Sequence, residues 1–319
     1  MKFPTVTMIE KSTRKVTHLS ILPELKSSEV AYLSSFTPSI AYSSSMVLPS
    51  PLPMIGDNHL YNFSAIGKET RHLGIHEILA PNLDVARDTR WGRTEETFGE
   101  DTCLSSEMAA AIISGEQKGD ISRPDSVITE PKHYVVHGIP EGGLNCAPAR
   151  VGQREVETSY LPVFEAGIKR GGAYNVMASY NSIDGDAVVC SEHYLKEVLK
   201  ERFGLRGISR ADWCGVKRIR HAHHLTTSVR DTVRIAINGG LDMQGCCDFE
   251  PREWEEIIYD FVMEGKISEA RIDDSVLRIL KMKFELGLFE NPYVDENAYK
   301  SVIRCDKHKE ISLRAAEEG

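Results

Sequence analysis

The 319-residue sequence has no run of eighteen apolar residues, so it holds no segment able to cross a bilayer as a helix. Residues 1–20 mix charge and Thr where an export signal needs an unbroken apolar stretch, and no signal peptide is read there, which leaves the compartment open. Lys and Arg number 38 against 47 Asp and Glu, a net charge of −9 that argues against a nucleic-acid partner, because phosphate binding needs clustered cations. The chain also lacks a GxxxxGK[ST] phosphate loop, a GxSxG nucleophile elbow and paired CxxC units, which removes three common active-site designs. Its seven cysteines are odd in number and read as reduced packing residues, since the adjacent Cys246 and Cys247 are poorly placed to join each other. No cofactor is required by any motif.

What is present is a globular composition, 41% apolar and 27% charged, long enough for one large domain with a short extension. Residues 27–55 are rich in Ser and Pro, so residues 1–60 are assigned to an irregular N-terminal segment and 61–319 to a single barrel-type domain. Beyond residue 61, short apolar runs alternate with amphipathic stretches, the pattern of βα units on a parallel sheet. Strands are expected at 77–85, 126–130, 174–180, 207–212 and 241–243. Helices are expected from Ser191 to Gly204, from Pro251 to Gly265, and from Ser268 to Gly287 with Ile272, Val276, Ile279, Leu280 and Phe284 facing inward. Another should cover 153–169, kinked or split by Pro162.

In an α/β barrel the chemistry gathers where the strands end. The expected strand ends carry Asp84, Arg87, Asp88, Arg90 and Arg93; Glu130, Lys132 and His133; Tyr180 and Asn181; Asp212 and Trp213; and Asp242. A zinc site at His133 and His137 is disfavoured, because an HxxxH pair needs a helix and Pro131 and Gly138 break one. His221, His223 and His224 read as a polar helix start. Carbohydrate hydrolysis suits the inventory best, since a sugar offers only hydroxyls and needs charged donors, acceptors and an aromatic platform around a carboxylate nucleophile.

The segments LAPNLDVARDTRWGRTEETFGED (79–101), PKHYVVHG (131–138), VMASYNSIDG (176–185) and GISRADWCGV (207–216) resemble, in order, the N-terminal barrel domain of glycoside hydrolase family 3, the β-glucosidases and β-xylosidases. The resemblance implies an α/β fold of TIM-like (β/α)8 type and a retaining exo-β-glycosidase acting on a β-glucoside or β-xyloside. It further implies that Asp212 is the nucleophile, that Arg93, Lys132 and His133 hold sugar hydroxyls, and that Tyr180 orients the nucleophile. Met177 would line the pocket wall and Trp213 would give an apolar surface. Arg90 is read as structural, and Arg87, Asp88, Glu96, Glu100 and Asp101 as a buried ion-pair network bracing the loop. An Asp among Arg and Lys should stay ionised, as a nucleophile must.

Three departures qualify this. The family's first strand ends in a GxDxxHG-like motif of which Gly56-Asp57-Asn58-His59 is only an echo, so the barrel is expected to be incomplete at its first βα unit. Arg210-Ala211-Asp212 stands where Ser-Asp is common. The sequence stops at RAAEEG, about where the family's second, sandwich domain begins, and that later portion typically supplies the acid/base Glu. The expected gene product is therefore a truncated barrel domain, slow because general acid help is worth about 10² to 10⁴ in rate. The rival readings are a non-catalytic barrel that binds sugar without cleaving it and a metal-dependent barrel enzyme.

Overall fold

A computed structural model describes residues 57–245 and 247–318 of the chain. Most of the expected 1–60 segment lies outside them, and the echo motif proves to be a helix start: α1 runs Asp57–His72. Five parallel strand segments follow. They are β1 (Glu77–Ile78), β2 (Ile128–Thr129), β3 (Val176–Ala178), β6 (Ser209–Ala211) and a bridge at Met243. The register pairs Ile78 with Thr129, Met177 with Arg210, and Arg210 with Met243, while bridges at Asn82–Lys132 and Tyr134–Ala178 continue the ladder. All five lie inside the expected windows, but regular pairing covers only their centres. The remainder of each window is loop that carries polar residues toward one end.

Helices return the chain between the strands, as a right-handed parallel arrangement requires. After β1 comes α2 (Thr102–Gln117), opened by Asp101, whose carboxylate accepts from the Leu104 N–H at 2.6 Å. After β2 comes α3, in which Gln153–Glu155, Val156–Tyr160 and Leu161–Lys169 run on without a break. Its middle segment is wound as a π-helix immediately before Pro162, so the proline neither stops nor splits it. A short antiparallel hairpin, β4 (Ser182–Ile183) and β5 (Asp186–Ala187), precedes α4 (His193–Arg202). The Ser191 hydroxyl caps this helix, accepting from the Tyr194 N–H. After β6 come α5 (Gly215–His221) and α6 (Val229–Asn238), then α7 (Pro251–Met263) and α8 (Glu269–Glu285). His221, His223 and His224 therefore mark the end of a helix and the loop after it, not a helix start.

The main core lies between the strands and α2 to α4, with Leu83, Ile113, Phe164, Leu195 and Leu199 almost wholly withdrawn from water. Each such side chain contributes roughly 1.5–3 kcal/mol by burial. Ser268 caps α8 as expected, but Phe284 is 60% exposed and stacks on Phe289, so the inward stripe ends at Met282 and Leu286. The apolar period found the helix, but the stripe was too wide to say which edge meets the core. After α9 (Tyr299–Val302), α10 (Asp306–Glu318) returns to α1, where the His308 ring hydrogen-bonds Glu69 at 2.6 Å.

Candidate active site

The strands end beside one another, so residues far apart in sequence meet. Asp84 follows β1 and His133 follows β2, and their neighbouring register sets the imidazole Nδ1 2.7 Å from the Asp84 carboxylate. The His133 main-chain N–H also points at Asp84, at 3.3 Å. Asn82 Oδ1 accepts from the Asp84 N–H and holds the loop. Both side chains are withdrawn from water, and burial raises the Asp84 carboxyl to about 6 and keeps His133 well below its ordinary range. The imidazole is thus neutral, with its proton on Nδ1 toward Asp84. That leaves Nε2 as the acceptor for an Arg93 N–H at 3.1 Å.

Asp212 ends β6, and its Oδ2 lies 3.4 Å from His133 Nε2. Its Oδ1 accepts from the Trp213 N–H at 2.6 Å. The Tyr180 phenol hydrogen-bonds to the same carboxylate, and burial together with the Asp212 charge pushes that phenol well above its ordinary range. Burial lowers the Lys132 ammonium, and the charge of Asp212 is the largest influence opposing it. Gly245 makes close approach possible at this spot, since a Cβ there would meet the Asp212 carbonyl oxygen at 2.1 Å. Trp213 is 47% exposed at the rim.

The structure brings Arg93, Lys132, His133, Tyr180 and Trp213 to the surroundings of Asp212. Arg93 is partly committed elsewhere, because Glu96 takes its Nε at 2.7 Å and one terminal nitrogen at 2.8 Å. Met177 is buried in β3 and shares its register position with Arg210, whose guanidinium is tied to Glu130 at 2.8 Å. The expected buried network in the 87–101 loop is not one network. Arg90 pairs with Asp88 in solvent, Arg87 reaches Glu155 across to α3, Asp101 caps α2, and only Glu96 turns toward the site. Asp242, expected at the rim, is sealed in by Lys200, Arg271 and Ser275.

Two residues escaped assignment from the sequence. Asp84 stood among the strand-end carboxylates, but its task depends on register. The HxxxH spacing of His133 and His137 joins two imidazoles on a helix, yet here a loop brings the His137 ring centroid within 4.7 Å of that of His133. Among the described residues no cluster of three or more acidic, His or Cys side chains is arranged to hold a metal. The described cysteines are free thiols.

A carboxylate flanked by an imidazole, a phenol and cations, and still partly exposed, is suited to nucleophilic attack on an electrophilic carbon. Comparison with known proteins shows the family. The model of the glycosyl hydrolase family 3 N-terminal domain matches residues 57–282. A periplasmic β-glucosidase of Salmonella typhimurium is 29% identical over 262 residues, spanning 81% of this chain and 34% of that protein. A lysosomal β-glucosidase of Dictyostelium discoideum is 33% identical over 260 residues, 79% of this chain and 31% of that protein. A β-glucosidase structure from Listeria innocua superposes with a TM-score of 0.77 at 28% identity, covering 88% of this chain and 37% of its own. The chain thus spans about a third of the length of these relatives.

Proposed function

Because the chain belongs to glycosyl hydrolase family 3, whose N-terminal domain is a TIM-like barrel, we propose that it carries the sugar-binding and nucleophile side of a retaining exo-β-glycosidase site. The observation that carries this is the setting of Asp212, ringed by His133, Tyr180 and Lys132 at converging strand ends. In this reading one Asp212 oxygen attacks the anomeric carbon as the bond to the leaving oxygen breaks, giving a covalent glycosyl ester. Arg93, Lys132 and His133 bind sugar hydroxyls. Met177 backs the pocket and Trp213 offers an apolar face beside the bond cleaved. The substrate class is a β-glucoside or β-xyloside, in keeping with relatives named β-glucosidase and β-xylosidase and with a Listeria innocua β-glucosidase solved with glucose. None of the described residues is assigned as proton donor to a natural leaving group.

The test is labelling with 2,4-dinitrophenyl 2-deoxy-2-fluoro-β-glucoside, whose leaving group needs no proton. Mass spectrometry should find one fluoroglucosyl group on the peptide holding Asp212. A folded protein that takes up no label, yet binds glucose in a calorimeter, would favour the sugar-binding barrel without turnover.

A further inference from the structure

The interior of a parallel α/β barrel is ordinarily filled by layers of apolar side chains. Here one layer holds a charge pair. Arg210, at the centre of β6, donates from Nε to Glu130 Oε1 at 2.9 Å, and its Nη2 lies 2.8 Å from Oε2. Glu130 directly follows β2 and is wholly withdrawn from water, while 15% of the Arg210 side chain is exposed. Their strand neighbours face the other way, since the Thr129 hydroxyl donates to Gln117 on α2 and the Ser209 hydroxyl reaches Asp242 at 3.2 Å. Met177 and Met243 share the Arg210 row of the ladder, and Glu77 lies 4.0 Å from the guanidinium.

Stability alone does not account for such a pair, because taking two charges out of water offsets their attraction and an apolar replacement is often neutral or better. Its placement points to another task. β2 and β6 are not paired with each other: β3 lies between them, bridged to one side at Tyr134–Ala178 and paired to the other at Val176–Ser209. With two residues in β2 and three each in β3 and β6, the ladder alone fixes the register weakly. The Glu130–Arg210 pair spans β3 and joins the flanking strands directly. Glu130 stands two residues before Lys132 and Arg210 two before Asp212, so with a side-chain period of two each lies one layer beneath a site residue. Loss of this tie would let Asp212 shift relative to His133, whose Nε2 lies 3.4 Å away. We propose that Glu130 and Arg210 are positioning residues, whose ion pair sets the height of the Asp212 strand against the strand end that carries Lys132 and His133. The inference rests on the reading of Asp212 as the nucleophile of a glycosidase.

Labelling of the full chain with 2,4-dinitrophenyl 2-deoxy-2-fluoro-β-glucoside, measured well below every thermal midpoint, separates position from stability. Glu130→Leu and Arg210→Met each leave one charge buried alone, and should lower both the midpoint and the maximal labelling rate, the rate by about tenfold to a hundredfold. The double variant Glu130→Leu/Arg210→Met removes both charges, so its midpoint should return close to wild type while its labelling stays slow. Apparent affinity for the label should change less than about threefold throughout, because alignment rather than ground-state binding is lost. Arg210→Lys, which keeps the charge but not the fork, should label at an intermediate rate. Single variants that label at the wild-type rate, or a double variant whose rate recovers together with its midpoint, overturn the proposal. If the double variant fails to fold, a wild-type rate in Arg210→Lys overturns it equally. Unchanged rates in variants that take up the label remove the role of the pair alone, whereas a folded wild-type protein that takes up none removes the glycosidase reading and this inference together.

Discussion

Asp242 lies beside Ser209 at the start of β6 and Asp212 follows the end of that strand, and their surroundings differ in one respect that separates structure from chemistry. Asp242 is sealed from water and saturated: Lys200 at 2.7 Å, Arg271 at 2.9 Å, the Ser275 hydroxyl at 2.7 Å and the Ser209 N–H at 2.9 Å use both oxygens. Burial alone would raise its carboxyl, but Lys200 and Arg271 outweigh that and hold it below the usual range. Asp212 keeps 16% of its side chain exposed and is held by the Trp213 N–H and the Tyr180 phenol, with His133 Nε2 only at 3.4 Å. A fully paired carboxylate braces α4 and α8 against the strands. One with fewer partners and part of its side chain open to solvent is left able to react.

The largest contrast is expected from removing each in turn. Asp212→Ala should abolish covalent labelling altogether while leaving the thermal midpoint within a few degrees of wild type, because functional groups are held at some cost to stability. Asp242→Ala should do the reverse and lower the unfolding free energy by about 3–5 kcal/mol in urea titration, since Lys200 and Arg271 would stay buried without a counter-charge. If the Asp242 variant were as stable as wild type, the division between brace and reactive group would be wrong.

A smaller effect tests the support behind Asp212. In Asp84→Asn the side-chain amide can no longer hold the His133 proton on Nδ1, and the labelling rate should drop on the order of 10²-fold. Saturation of labelling should separate the two effects, with the maximal rate falling more than apparent affinity. Labelling at the wild-type rate would show that the imidazole's tautomer does not matter.

A pH-dependent effect concerns Glu116, buried on α2 with one oxygen unpartnered and its carboxyl raised by burial to about 8 from 4.5. A raised folded value means that its stability contribution is complete below about 4.5 and drains away as pH rises to about 8. Glu116→Gln should therefore flatten the loss of stability across that window, where one proton accounts for at most about 1.4 kcal/mol per pH unit. Parallel pH profiles for the two proteins would contradict the assignment.

The parts of the molecule written in local pattern were legible from the sequence. The strands showed as apolar runs with polar ends, so Asp212, Lys132 and His133 could be placed on one rim from sequence alone, and Ser191 and Ser268 announced their helices. What depended on register was not. Asp84 and His133 lie 49 residues apart and meet only because Asn82 bridges to Lys132 beside them. Asp242 looked like a rim residue because nothing local reveals Lys200 and Arg271 arriving from α4 and α8. The proximity of His137 to His133 came from loop geometry that no helical spacing rule describes. Phe284 was placed on the wrong side because a 3.6-residue period marks a stripe but not its edges.

The central claim, that Asp212 forms a glycosyl ester, is tested most directly by a single-turnover reaction of the purified chain with 2,4-dinitrophenyl β-glucoside. A burst of dinitrophenolate stoichiometric with protein is expected, accompanied by a glucosyl adduct on Asp212 and absent from Asp212→Ala. A folded protein giving no burst, or a burst that persists in Asp212→Ala, would contradict it.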